Sequence, residues 1–277
     1  MSVETRIGRR FAALKAEGRG GLGVFVTAGD PDYDTSLKIL NGLAGAGADM
    51  IEFGMPFSDP MADGPAIQVA SQRSLAGGQN MKKTIAMVRD FRTRDNETPI
   101  VLMGYYNPIH SYGVDAFLSD AKSAGVDGLI IVDLPPEEEA ELCLPALKAG
   151  INFIYLTAPT TTDERLPRVL EHASGFVYYV SITGITGTAS TTAVDIKPNI
   201  DRIRAQTDIP LAIGFGIKTA AHVAEFTAIA DAAIVGSAVV NVIATNLDEN
   251  NRAKSGLVEN VLEFVSELAS GLSEGKK

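Results

Sequence analysis

Cysteine is almost absent. Cys143 is the single one in 277 residues, so no internal disulfide can form and a thiolate metal cage is excluded. Such a chain suits the cytosol, and a cytoplasmic location is the expectation. Basic charge is also short: 24 Lys and Arg stand against 34 Asp and Glu, for a net charge of −10. That balance argues against a nucleic-acid partner or an anionic membrane surface, both of which need clustered cations. It fits a soluble enzyme and says nothing about fold. No apolar run approaches the roughly 18 residues that a membrane helix requires. The first eleven residues are charged and hold no apolar stretch, so no secretory signal is expected. Histidine is scarce too. His110, His172 and His222 are scattered, near no Cys or acid cluster at ligand spacing, which favours structural or surface roles over a metal site.

What the chain has in quantity is alternation. Short apolar, β-rich runs lie at 22–27, 50–53, 100–103, 128–132, 152–156, 176–181, 211–213 and 232–235. Between them fall helix-like stretches such as 33–46, 114–124, 136–148, 163–172 and 219–229. Strict β-α alternation predicts parallel strands with crossover helices. Eight units in about 250 residues point to an α/β fold closed as a (β/α)8 TIM barrel. An open Rossmann-like sheet is the alternative, because periodicity does not show closure. Two departures carry information. Val3, Ile7, Phe11 and Leu14 recur at near-helical spacing, which predicts an extra N-terminal helix across the barrel bottom. The gap after the second strand is about double the others and holds the proline-rich segment 56–65, an extra helix near 67–76 and another at 81–94. Extra length there belongs on the face where βα-loops build sites. With no composition shift or flexible linker, residues 1–277 read as one domain.

Glu52 is out of place. It shares a strand face with Met50, since side chains two apart point the same way. A carboxylate at the end of an apolar strand must be desolvated, paired or used. At the C-terminal end of a barrel strand the reading is catalysis; the other reading is a buried ion pair, for instance with Arg73. Asp59 and Asp63 follow within twelve residues of Glu52. On their own both read as turn residues, with Asp63 capping a helix that begins near Pro65. Cys143, beside Leu142 and Leu144, reads as packing.

Three late strand ends break into glycine: Thr183-Gly184-Ile185-Thr186-Gly187-Thr188, then Gly214-Phe215-Gly216-Ile217, then Gly236-Ser237. The last two lead into helical sequence. Glycine admits an anion close to the backbone, and a helix N-terminus offers free N–H groups. Barrels hold phosphates in the loops after strands 7 and 8; tight βα turns are the other reading. With only Lys218 nearby, recognition would be by main chain. Phe25, Tyr105, Tyr178 and Phe215 gather at strand ends, where rings suit either core packing or a flat apolar ligand. Gly18-Arg19-Gly20-Gly21-Leu22-Gly23 matches G-x-G-x-x-G, but it follows a helix and leads into a strand. That is the reverse of a dinucleotide fingerprint, so it reads as a turn.

At this point a family pattern emerges. The chain resembles the tryptophan synthase α subunit family across essentially its whole length. The motifs are Phe25-Val26-Thr27-Ala28-Gly29-Asp30-Pro31, the run from Glu52 to Pro65, Met103-Gly104-Tyr105-Tyr106-Asn107-Pro108, Asp133-Leu134-Pro135, Gly184-Ile185-Thr186-Gly187 and Gly214-Phe215-Gly216-Ile217. Ile185 stands where the family usually has valine, and at Ile182 some members carry arginine. The resemblance implies retro-aldol cleavage of indole-3-glycerol phosphate to indole and glyceraldehyde 3-phosphate. It makes Glu52 the catalytic acid/base, Asp63 the acid on the indole N–H, and Tyr178 the tyrosine beside Glu52. Phe25, Ile67, Tyr105 and Phe215 would surround the substrate; Thr186, Gly187, Gly216, Gly236 and Ser237 would hold its phosphate. The resemblance further implies a β subunit in an α2β2 assembly, met by 56–61 (with Asp59 facing it), 107–112 and 134–136. Pyridoxal phosphate would belong to that partner alone, this chain having no cofactor, and 184–192 would close as a lid. A free-standing lyase releasing indole, and a non-catalytic binding subunit, are the alternatives; intact Glu52 and Asp63 argue against the latter.

Overall fold

The computed structural model describes residues 5–180, 192–214 and 216–273. All its paired strands run parallel, as the alternation predicts. They are β1 (Gly21–Thr27), β2 (Met50–Gly54), β3 (Ile100–Gly104), β4 (Gly128–Ile131), β5 (Asn152–Phe153), β6 (Leu156–Thr157), β7 (Val177–Val180), β8 (Leu211–Gly214) and β9 (Ala232–Val235). Their order in the sheet is β5-β4-β3-β2-β1-β9-β8-β7-β6. β5 and β6 are two halves of one strand. The Ile154 N–H donates to the Leu129 carbonyl at 2.9 Å and the Tyr178 N–H to the Tyr155 carbonyl at 3.0 Å, so the first half serves β4 and the second β7. The order therefore closes on itself as an eight-stranded barrel, and the open-sheet alternative falls.

The helices are α1 (Arg6–Glu17), α2 (Tyr33–Leu43), α3 (Pro65–Ala76), α4 (Met81–Arg92), α5 (Tyr106–Tyr112), α6 (Val114–Ala124), α7 (Cys143–Lys148), α8 (Leu166–Leu170), α9 (Ala193–Arg204), α10 (Ala220–Thr227), α11 (Ser237–Thr245) and α12 (Leu257–Ser270). The helix predicted over 136–148 is instead a 3₁₀ stretch, Pro136–Glu141, followed by α7. Pro145 explains the break: in a continuous helix its ring would meet the Glu141 carbonyl and offer it no N–H. The chain resets at Leu142, with φ −146.

Strand alternation sorts the core into two shells. Leu22, Val24 and Val26 face outward to the helices, whereas Met50, Val101, Ile130, Ile154, Phe176, Ala212 and Ile234 fill the barrel. α1 closes the bottom with Ile7, Phe11 and Leu14, which join that inner cluster; Val3 lies outside the described residues. Gly18 ends α1 in the left-handed region at φ 69 and the chain turns into β1, so the glycine-rich stretch is a turn. Three acids start the ladders at this lower end. Asp49 accepts from the Leu22 N–H at 3.0 Å, Asp127 from Ile100 at 2.8 Å and Asp231 from Leu211 at 2.9 Å. Each acid stands just ahead of one strand and receives the first or second amide of its neighbour, which helps fix the register of the pair. Arg19 and Arg92 neutralise Asp49 and Asp127 at 2.8 and 2.6 Å. Register set at the bottom determines which side chains reach the top.

Candidate active site

The inner shell stops at two polar groups. Glu52 faces inward from β2, is 1% exposed, and its Oε1 has no hydrogen-bond partner among the described residues. Burial alone pushes its carboxyl up to about 8: ionising it in that setting would leave a charge with neither water nor partner. Tyr178 faces inward from β7, and its hydroxyl is raised well above its ordinary value by burial and then by the nearby Glu52 charge. The ion pair considered for Glu52 does not form. Arg73 makes a two-pronged bond to Asp30, with both contacts at 2.8 Å.

Above this floor lies a small cavity. Phe25, Met55, Ile67, Met103 and Val132 supply its apolar walls, and Thr27, Asp63, Ser71 and Tyr105 its polar ones. Glu52 pairs in register with Phe25, and Gly54 with Thr27, so the acid sits one rung below the cavity. Gly54 must be glycine: a Cβ there would stand 2.7 Å from the Phe25 ring.

Asp63 comes from the long loop after β2. Its N–H makes a turn to the Pro60 carbonyl at 3.1 Å, but the cap of α3 is Gly64, with no side-chain bond. The helix-cap reading of Asp63 is therefore corrected: Pro65 at the first helical position removes one orphan donor, and the carboxylate is left to turn to Tyr105. Burial lifts Asp63 to about 6, and the hydrogen bond from the Tyr105 hydroxyl holds it down against that rise. The same hydroxyl accepts the Ala62 N–H at 2.9 Å. Tyr105, 3% exposed, thus ties the loop to the end of β3.

Across Phe25 the chain enters α11. A Cβ on Gly236 would lie 3.5 Å from that of Phe25. No side chain caps α11, so its first N–H groups and positive dipole end are available to an anion at the barrel mouth. The loop after β8 differs: Ile217, Lys218 and Thr219 separate Gly216 from α10, and Thr219 already caps that helix by accepting from the His222 N–H at 3.2 Å. Gly216 adopts φ 76, a conformation natural to glycine.

The sequence pattern of the tryptophan synthase alpha chain family matches residues 11–270. The chain belongs to the tryptophan synthase alpha chain family. Solved relatives agree. The tryptophan synthase subunit alpha of Legionella pneumophila str. Paris is 40% identical, with a TM-score of 0.87 over 97% of this chain and 98% of that one. An alpha chain from Legionella pneumophila subsp. pneumophila is 38% identical, with a TM-score of 0.85 over 97% of each. The aminoacrylate-bound tryptophan synthase of M. tuberculosis is 32% identical, with a TM-score of 0.85 over 97% of this chain and 99% of that one.

In this chain Phe25, Asp63, Ile67 and Tyr105 surround one cavity, Glu52 and Tyr178 lie beneath it, Gly236 stands against Phe25, and Ser237 begins α11. Thr186, Gly187 and Phe215, with most of the lid segment, lie outside the described residues. The sequence reading missed Thr27, Met55, Ser71, Met103 and Val132 as cavity wall. Thr27 had a usable signal, standing two residues beyond Phe25 on one strand face. It also missed the role of Asp133, which accepts the Tyr106 N–H at 2.8 Å and pins the start of α5. Cys143 is fully buried, as packing requires.

Proposed function

We propose that this chain cleaves indole-3-glycerol phosphate to indole and glyceraldehyde 3-phosphate, the α reaction of tryptophan biosynthesis. Glu52 and Asp63 are its catalytic acids. The observation that carries the assignment is a buried carboxyl and a half-buried one at the same cavity, raised to about 8 and about 6. Near neutral pH the first holds its proton and the second has mostly lost its own. Two acids with separated titrations divide general-acid and stabilising roles.

Glu52 protonates the ring carbon that bears the side chain, making the ring cationic. Asp63 accepts a hydrogen bond from the ring N–H and stabilises that charge. The hydroxyl on the adjacent side-chain carbon then gives its proton to the Glu52 carboxylate. The electron pair of the C–C bond returns to the ring as indole departs, and a carbonyl forms on the aldehyde product. Tyr178 stands beside Glu52 and keeps its surroundings dry; Phe25, Ile67, Tyr105 and Phe215 hold the ring. The phosphate rests on Gly236 and Ser237 at the start of α11, with Thr186, Gly187 and Gly216 contributing from neighbouring loops.

The whole chain works as one domain. Its own groups carry the proton transfers without a cofactor, and pyridoxal phosphate belongs to a β subunit that receives the indole in an α2β2 assembly. The exposed Asp59 and Met61, the latter 77% exposed, support 56–61 as part of the partner face, with 107–112 and 134–136. No helix among the described residues is long and apolar enough to cross a membrane, and the lone buried cysteine supports a cytoplasmic location.

Glu52→Gln should abolish indole release while leaving folding and phosphate-ligand binding intact; near wild-type cleavage would sink the assignment. Adding a β subunit should raise cleavage and give a complex by light scattering. An unchanged rate without a complex identifies a free-standing lyase instead.

A further inference from the structure

Thr27 is 1% exposed, lines the cavity with Asp63 and Tyr105, and has an Oγ1 that is buried without a hydrogen-bond partner among the described residues. Its neighbours are satisfied. The Ser74 hydroxyl donates to the Ala28 carbonyl at 2.6 Å, and the Ser36 hydroxyl accepts the Gly29 N–H at 2.9 Å. A buried hydroxyl left unpaired costs stability, which a valine of the same shape would avoid. An unmet hydrogen bond facing a ligand cavity marks a group whose partner arrives with the ligand.

We infer that Thr27 is a substrate-positioning residue whose hydroxyl oxygen accepts a hydrogen bond from the N–H edge of the bound aromatic ring, beside the Asp63 carboxylate. This rests on the proposed function. Its placement favours the ring edge over the phosphate end. Thr27 pairs with Gly54, one rung above Glu52, and shares the cavity with Asp63, Ile67 and Ser71 from the loop and α3. The phosphate site at Gly236 lies across Phe25. A single N–H shared by two acceptors is a three-centre bond, which fixes the ring plane more firmly than one acceptor does.

The test uses the full chain with Thr27→Val and Thr27→Ser. Binding is read for 3-(indol-3-yl)propyl phosphate, which keeps the ring N–H and phosphate but lacks the side-chain hydroxyls. Thr27→Val should weaken that binding about fivefold to tenfold and lower kcat/KM for substrate by a similar factor. It should also hold or raise the ligand-free Tm, and Thr27→Ser should restore both binding and rate. A lower ligand-free Tm would assign the hydroxyl a structural partner and overturn the proposal. Unchanged binding by Thr27→Val would overturn it too, and loss confined to the hydroxyl-bearing substrate would move the contact to the side chain. A wild-type chain that cleaves nothing would instead refute the proposed function.

Discussion

Gly214 lies against the Tyr178 hydroxyl so closely that a Cβ added to it would stand 1.8 Å from that oxygen and 2.3 Å from Cζ. Both are inward positions on adjacent strands, and Tyr178 in turn borders Glu52. Gly214→Ala should therefore push the tyrosine toward the acid and lower kcat/KM on the order of a hundredfold, the scale of an ångström of misplacement. Tyr178→Phe will not relieve the clash, because Cζ remains. Combining Gly214→Ala with Tyr178→Leu should recover stability without full activity, as read by urea unfolding and steady-state rates.

Glu52 makes stability depend on pH. Its folded-state pKa of about 8 lies above the ordinary 4.5, so between those values the folded chain holds a proton that the unfolded chain has released. Stability is then lost as pH rises through that window. Glu52→Gln does not titrate. Its stability relative to wild type should climb steadily between about pH 5 and about pH 8, measured by thermal unfolding at a series of pH values. A flat difference would mean that Glu52 is not buried in its neutral form.

Tyr105 sets the acidic limb of the rate profile. In the proposed mechanism Asp63 acts in its ionised form, so kcat/KM should rise through about 6 and fall where Glu52 loses its proton, about 8. The hydrogen bond from the Tyr105 hydroxyl favours the Asp63 carboxylate. Tyr105→Phe should accordingly move the acidic limb upward and leave the basic limb in place, checked by pH-rate profiles of both proteins.

Arg73 supports the site without entering it. Its side chain and that of Asp30 are 8% and 0% exposed, and burial already pushes the Asp30 carboxyl upward against the pull of that guanidinium. Arg73→Leu strands the acid. The expected loss is about 3–5 kcal/mol in urea unfolding, largest at neutral pH, where Asp30 would otherwise be ionised.

The barrel was legible because each strand is a short apolar run and each crossover an amphipathic one. Glu52 was legible because it breaks that rule on a known strand face. The position of Asp63 was not, since its side-chain bond goes to Tyr105 on a different strand end and local turn chemistry favoured a cap. Pro65 at the first helical position puts the cap on Gly64, which has no side chain, and leaves Asp63 one residue ahead of it. Pro145 was visible within the predicted 136–148 helix, yet amphipathic spacing masked its effect. Thr27 passed unnoticed because a threonine in a strand is ordinary until its hydroxyl is found without a partner.

The interrupted fifth strand gives the barrel a seam. Two residues on one side bond to β4 and two on the other bond to β7, a shorter stitch than the five paired residues between β1 and β2. In the ring order this seam stands diametrically opposite β1, which carries Phe25 and Thr27 beside Glu52. The seam also reaches the site by one route, because Tyr178 pairs with Leu156 on its short β7 side. The acid and the ring wall thus stand on the continuously paired side of the cylinder, and the tyrosine that borders the acid is fastened to its seam.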